Sequence, residues 1–243
     1  MLIHTQGIVI RNVKYSDSGV ISKIYTRNLG MQSFLIQGIY APKAMIKPSL
    51  LQPMTILELV VFHNKIKDLQ RLKEARPQPL LSSLPFDVNK GSIGLFMSEI
   101  IYKTIKEEEQ NNPLFDFLME CIIYLDQSPS SEPLMPLYFM LELSKHLGFY
   151  PNNNNEENYF FHLKEGEFFS YPAKEDETII PEHAIYLSRL LHSKLSDLQG
   201  MHIPKISRQY LLEKLCLYYS LHMPSFTQLK SLSVLSNTMK SSD

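Results

Sequence analysis

The sequence predicts an α+β chain, a small amino-terminal β-barrel followed by a mainly α-helical region. Three observations carry this reading. The first 76 residues hold five short runs of alternating apolar residues, divided by turn signals and with no long helical pattern between them. A Pro/Ser-rich stretch, "RPQPLLSSLPFDVNKGS" (76–92), then marks a change of composition. Beyond it, apolar residues recur at spacings of three and four, the period of amphipathic helices. Two domains are expected, 1–78 and 79–243.

The first strand is "GIVIRNVKY" (7–15), which places Val9, Arg11 and Val13 on one face and Ile8, Ile10 and Asn12 on the other. "VISKIY" (20–25) and "MQSFLIQG" (31–38) follow after the turns "SDSG" and "RNLG", completing a meander. A long connection, "QGIYAPKAMIKPSLLQP" (37–53), precedes "TILELVVF" (55–62), and a turn at "HNKIKD" leads to "LQRLKEA" (69–75). Five strands this short suit a closed or nearly closed barrel, because closure removes the unpaired edges of an open sheet. The OB-fold is the leading candidate. Among the barrel aromatics Tyr15, Tyr25, Phe34, Tyr40 and Phe62, alternation assigns Phe34 and Phe62 to the core first. Tyr40, on the long connection, is the one least explained as core.

After the connector, "SIGLFMSEIIYKTIKEEE" carries Ile93, Phe96, Met97, Ile100, Ile101 and Ile105 on one helical face. "NNPLFDFLMECIIYLDQ" has Asn112 as its expected N-cap, Pro113 at the first helical position, and a stripe of Leu114, Phe117, Leu118, Cys121, Ile122 and Leu125. "PLYFMLELSKHLG" should end at Gly148, and further helices are expected at 181–195 and, capped by Ser207, at 207–222. Between them, residues 150–180 form an irregular acidic insertion with four consecutive asparagines, expected to be a loop rather than a site. "NYFFHL" and "EFFSY" within it predict a short hairpin. With two lysines against eight acids up to Glu182, this stretch is unsuited to nucleic acid.

The composition, 44% hydrophobic and 20% charged, is that of a globular protein able to bury a core. The opening "MLIHTQGIVI" lacks the basic head and apolar stretch of a secretory signal, and no run approaches the roughly 18 apolar residues of a membrane span. A cytoplasmic protein without a membrane role is expected. Cys121 and Cys216 are isolated from each other and lie in apolar helical patterns, which suits core thiols and offers neither a disulfide framework nor a zinc pair.

No phosphate-binding loop, dinucleotide fingerprint or HExxH motif appears, and the eight histidines have no ligand spacing. Glu107, Glu108 and Glu109, at consecutive positions on the predicted helix, would point in different directions rather than act as a carboxylate pair. Neither an enzyme nor a cofactor is expected.

Charge is the informative quantity. Residues 1–80 carry eleven Lys and Arg against four acids, a net +7, and the remainder carries a net −8. Such asymmetry suggests that one half meets a polyanion. Small OB barrels bind single strands with cations that neutralise phosphates and rings on which bases stack. Tyr40, followed by Lys43 and Lys47, fits that pattern.

These residues resemble the RecO family of recombination mediators. The amino-terminal resemblance lies in "RNVKYSD", "YTRNLG", "GIYAPK" and "LQP", taken in that order. It continues in "SEIIYKTIKEEEQNNPLFDFLMECIIYLD", in "PLYFMLELSKHLGFYP" and in "LLEKLCLYYSLHMPSFTQLKSLSVL", and so covers nearly the whole chain. It implies an OB-fold and a helical domain in a non-enzymatic DNA-repair protein. Such a protein binds single- and double-stranded DNA, anneals complementary strands, recognises the acidic carboxy-terminal tail of single-stranded DNA-binding protein, and acts with RecR to load RecA.

Carried onto this chain, the resemblance makes Arg11, Lys14, Lys23, Arg27, Lys43 and Lys47 phosphate contacts, and Tyr40, Lys65, Lys67 and Arg71 complete the candidate DNA-binding set. Arg208, Leu211, Lys214, Leu215 and Lys230 are the candidates for binding the partner's tail, which needs an apolar groove with a basic rim. Two departures stand out. Many relatives hold structural zinc with four cysteines after the Leu-Gly-Phe-x-Pro turn, where this chain has "NNNNEENYFFHLKEGEFF". Relatives also often carry Gly-x-Arg-Arg-x-x-x-Ser in the long connection, where Tyr40, Ala41 and Ala44 stand here. The competing readings are a protein-interaction scaffold, whose barrel meets an acidic protein, and an RNA-binding OB protein.

Overall fold

The computed structural model describes residues 1–129, 132–152 and 159–238, so most of the asparagine run lies outside the described residues. Two compact units emerge, Met1–Ser128 and a second from Pro129 onward. The first holds the barrel and the two helices that follow the connector.

Its strands are β1 (Leu2–Lys14), β2 (Gly19–Thr26), β3 (Gly30–Gln37), β4 (Ile56–Phe62) and β5 (Leu69–Pro77). They close in the order β1-β2-β3-β5-β4, as the expected barrel. All pairings are antiparallel except β3 with β5, a parallel seam joining Ser33–Leu35 to Leu69–Arg71. Val9, Ile24, Phe34, Leu57, Leu59 and Val61 fill the interior.

Two expectations of alternation fail at particular residues. Ile8, Val9 and Ile10 are consecutive and all buried, because β1 is covered on both faces. Val9 points into the barrel, and α1 (Val88–Thr104) lies against the strand, with the Ser98 hydroxyl donating to the Ile10 carbonyl. A bulge between Val9 and Arg11 then shifts the register, and Val13 emerges half exposed rather than sharing a buried face with Val9. Phe62 is likewise 50% exposed. Leu57, Leu59 and Val61 take the inward parity of β4, which leaves Phe62 outside.

α1 begins four residues earlier than its first expected residue, Ser92, because Asp87 caps it by accepting from the Asn89 and Lys90 amides at 2.8 and 2.9 Å. It stops at Thr104, so Glu107–Glu109 are not helical as expected. Their backbone instead runs beside the start of β3, where the Met31 amide donates to Glu107 O at 3.0 Å. Gly30, at φ +64°, permits that approach, since a Cβ there would lie 2.5 Å from Glu107 O.

α2 (Asn112–Gln127) is capped by Asn111, whose side chain accepts from the Leu114 amide, and not by Asn112. Phe115 rather than Phe117 joins the buried stripe, stacked 6.1 Å from Tyr25 of β2. The connector is fastened by Asp126, whose carboxylate accepts from the backbone amides of Ser82, Ser83 and Leu84 at 3.0, 2.8 and 2.8 Å. Beneath it the buried Lys90 ammonium donates to Ser83 Oγ, Asp126 O and Ser128 O at 2.7, 3.1 and 2.6 Å.

The second unit contains α3 (Met135–His146), α4 (Pro181–Leu191), α5 (Lys205–His222) and α6 (Ser231–Thr238). α3 ends as expected, with Gly148 at φ +85° and the Phe149 amide reaching back to Ser144 O at 3.0 Å. The predicted hairpin is β6 (Phe160–His162) with β7 (Glu167–Phe169), and β8 (Thr178–Ile179) adds a third strand to it. α4 stops at Leu191 and a 3-10 turn follows at Leu195–Gly200. α5 starts after Pro204, so Ser207 is no cap; its hydroxyl is buried 3.0 Å from His183 Nδ1. Tyr219, fully buried, donates to Met140 O and joins α5 to α3. Cys121 is buried and Cys216 half-buried.

Candidate nucleic-acid interface

The barrel topology distributes the predicted cations over three places. The β1–β2 turn and the β3–β4 connection share one end, with Lys14, exposed Tyr40, Lys43 and Lys47. The β4–β5 turn lies at the other end and carries exposed Lys65 and Lys67, with Arg71 early in β5. Arg11 and Lys23 face each other across the β1–β2 ladder, on the wall between the two ends.

That wall is where charge converges. The C-terminal turn of α1 brings Tyr102 to it, and Lys106 follows just past the helix end. Arg11 Cζ lies 4.5 Å from the Tyr102 ring centroid, Lys106 Nζ 4.4 Å and Lys23 Nζ 6.0 Å. Three cations from three segments thus share one half-buried ring, each attracted by its π face. Among the described residues, none of the three has a carboxylate within 4.0 Å, whereas neighbouring Lys103 is paired with Glu99 at 3.6 Å. Burial pushes the Lys106 ammonium below its ordinary range, with Lys23, Arg11 and Lys103 adding repulsion and Glu107 opposing it. A cluster of like charges of this kind is relieved by an anion.

The remaining barrel cations differ from these. Arg27 is engaged within the unit: its guanidinium is 2.7 Å from Asp116, 3.1 Å from Gln6 Oε1, and 4.5 Å from the Phe115 ring. Lys14 pairs at 3.4 Å with Asp17 on the open surface, where such a pair contributes little. The net charge of residues 1–128 is only +2, because α2 and the 107–109 segment add acids. Local convergence rather than net charge therefore distinguishes the Arg11 wall. Sequence reasoning missed Tyr102 and Lys106, which lie past the connector; their spacing of four at the end of a helix was the available signal.

In the second unit, Leu211 and Leu215 are fully buried and present no apolar surface, which departs from their expected place in an open groove. Arg208 donates to Ile203 O at 3.1 Å, and Lys214 to Asp176 O at 2.9 Å and Glu175 O at 3.3 Å. Lys230 is exposed. The stretch after the Leu-Gly-Phe-x-Pro turn, where the resemblance led us to look for cysteines, contributes β6 and β7 of the three-stranded sheet. Among the described residues no group of three or more His, Cys, Asp and Glu is placed to hold a metal ion. No helix among the described residues is long and apolar enough to cross a membrane.

Comparison with known proteins divides the chain into two blocks. Residues 1–78 match a family model described as recombination protein O N terminal, and residues 85–233 match one described as recombination protein O C terminal. The DNA repair protein RecO of Phocaeicola vulgatus is 34% identical over 236 residues, covering 97% of this chain and 98% of that protein. That of Flavobacterium psychrophilum is 35% identical over 237 residues with the same coverage, and that of Porphyromonas gingivalis 26% over 246 residues. Together with the closed five-stranded barrel and the helices that follow it, these matches establish that the chain belongs to the recombination protein O (RecO) family.

Proposed function

We propose that the protein is a non-enzymatic mediator of DNA repair and homologous recombination. It binds single-stranded DNA through its first unit, also engages duplex, and anneals complementary strands in the cytoplasm. With RecR it helps RecA load onto strands coated by single-stranded DNA-binding protein.

The observation that supports this best is the wall formed by Arg11, Lys23 and Lys106, three cations that have no carboxylate partner among the described residues and stand on the barrel surface. Lys43 and Lys47 at one end and Lys65, Lys67 and Arg71 at the other extend the positive surface along which a strand can run. Recognition of the partner's acidic tail rests on the family resemblance and on the basic side chains of Arg208, Lys214 and Lys230. Its apolar anchor has to come from residues other than the buried Leu211 and Leu215.

The test is annealing of complementary oligonucleotides, naked and coated with single-stranded DNA-binding protein. Faster annealing on both substrates is expected. Absence of oligonucleotide binding even at low salt would favour a protein-interaction scaffold, and preference for ribose over deoxyribose would favour an RNA-binding role.

A further inference from the structure

We infer that the Arg11–Lys23–Lys106 wall grips the sugar-phosphate backbone alone and leaves the bases of the seated strand unstacked and free to pair. This rests on the DNA-binding reading above and adds how the strand is held.

Proteins that hold single strands commonly offer bare aromatic rings on which bases stack. The ring the three cations share is not bare: Tyr102 is half-buried, with a guanidinium and an ammonium at 4.5 and 4.4 Å from its centroid. A base could reach it only by displacing a cation, which would exchange a phosphate interaction for a stacking one. The ring instead spaces the cations. Arg11 and Lys23 stand directly opposite each other on neighbouring strands, an arrangement that is repulsive until an anion lies between them.

The exposed rings Tyr15 and Tyr40 lie toward the end of the barrel, Tyr15 four residues past Arg11, which is roughly 13 Å along an extended chain. We place neither ring under a base seated between Arg11 and Lys23. A strand gripped by its phosphates here presents its bases outward, which is the arrangement an annealing surface needs.

The experiment compares full-length protein binding, by fluorescence anisotropy at low salt, to an oligothymidylate and to a strand of equal length made of abasic deoxyribose phosphates. Stacking on even one base would separate the two by about fivefold or more. The inference expects affinities within fivefold of each other once Tyr15 and Tyr40, the exposed rings at the barrel end, are replaced by alanine. It also expects the variant Arg11→Gln/Lys23→Gln/Lys106→Gln to weaken both strands by the same factor, at least tenfold, with its melting temperature unchanged. A more than fivefold preference for the base-bearing strand that persists in the variant Tyr15→Ala/Tyr40→Ala overturns the inference while leaving DNA binding intact. Binding of neither strand overturns the DNA-binding reading itself. Because the comparison of the two strands does not use the triple variant, it decides the matter even if that variant fails to fold.

Discussion

At the residue scale, Asp126 shows how one carboxylate can fasten a connector. Burial works against its charge, but the three backbone amides and the Ser82 hydroxyl outweigh it and hold the carboxyl below its ordinary value of 3.8. Because the folded value is depressed, the stability it supplies is present above the unfolded value and is lost as pH falls through the folded one. Denaturant unfolding at pH 7 and pH 3 should therefore show a smaller drop for Asp126→Asn than for the wild-type protein. At pH 7 that variant should be less stable by about 2 kcal/mol, since an amide cannot accept from every amide that faces it. The two barrel phenylalanines give a second contrast. Phe34→Ala, at a fully buried site, should cost about 3–5 kcal/mol, and Phe62→Ala about 0.5 kcal/mol, both measurable from unfolding midpoints.

At the element scale, the β2–β3 turn depends on Gly30. An alanine there would require a positive φ and would strike the 107–109 backbone, so Gly30→Ala should lower stability by about 2 kcal/mol in thermal or denaturant unfolding. Most strands and helices were legible in the sequence, because turn residues and apolar periods are local signals. What escaped was non-local. The burial of β1 on both faces depends on α1, nearly ninety residues further along the chain, and nothing in "GIVIRNVKY" announces it. The cap was expected at Asn112, one residue late, and the Leu114 amide selects Asn111. Ser207 had the right chemistry for a cap but was recruited by His183.

At the scale of the whole molecule, the family and the order of its parts were legible from motifs spread along the chain. The candidate site was legible only in part. Its barrel cations could be counted, but Tyr102 and Lys106 join them only once α1 packs back onto β1. Lys43 and Lys47, on the long connection at one end of the barrel, test how far a bound strand extends. Alanine at both should weaken binding to all sequences about equally and reduce the salt slope by about one for each phosphate no longer neutralised, measured by titration across salt concentrations. Unchanged affinity and slope would remove that end from the binding path.

The parallel seam between β3 and β5 bears on how the barrel is assembled. It joins only three residue pairs, and those residues are 36 apart in sequence, farther than either partner in a hairpin. Chain entropy must be lost before either this pairing or the more distant β1–β4 ladder, whose partners run from Leu2 with Phe62 to Ile8 with Ile56, gives anything back, and the three pairs of the seam give back the less. Once formed, it is also the narrowest stretch of the wall. Those amide hydrogens of Ser33–Leu35 and Leu69–Arg71 that point across the seam should exchange with solvent earlier than those of the long β1–β2 ladder, which would make the seam the place where the barrel breathes.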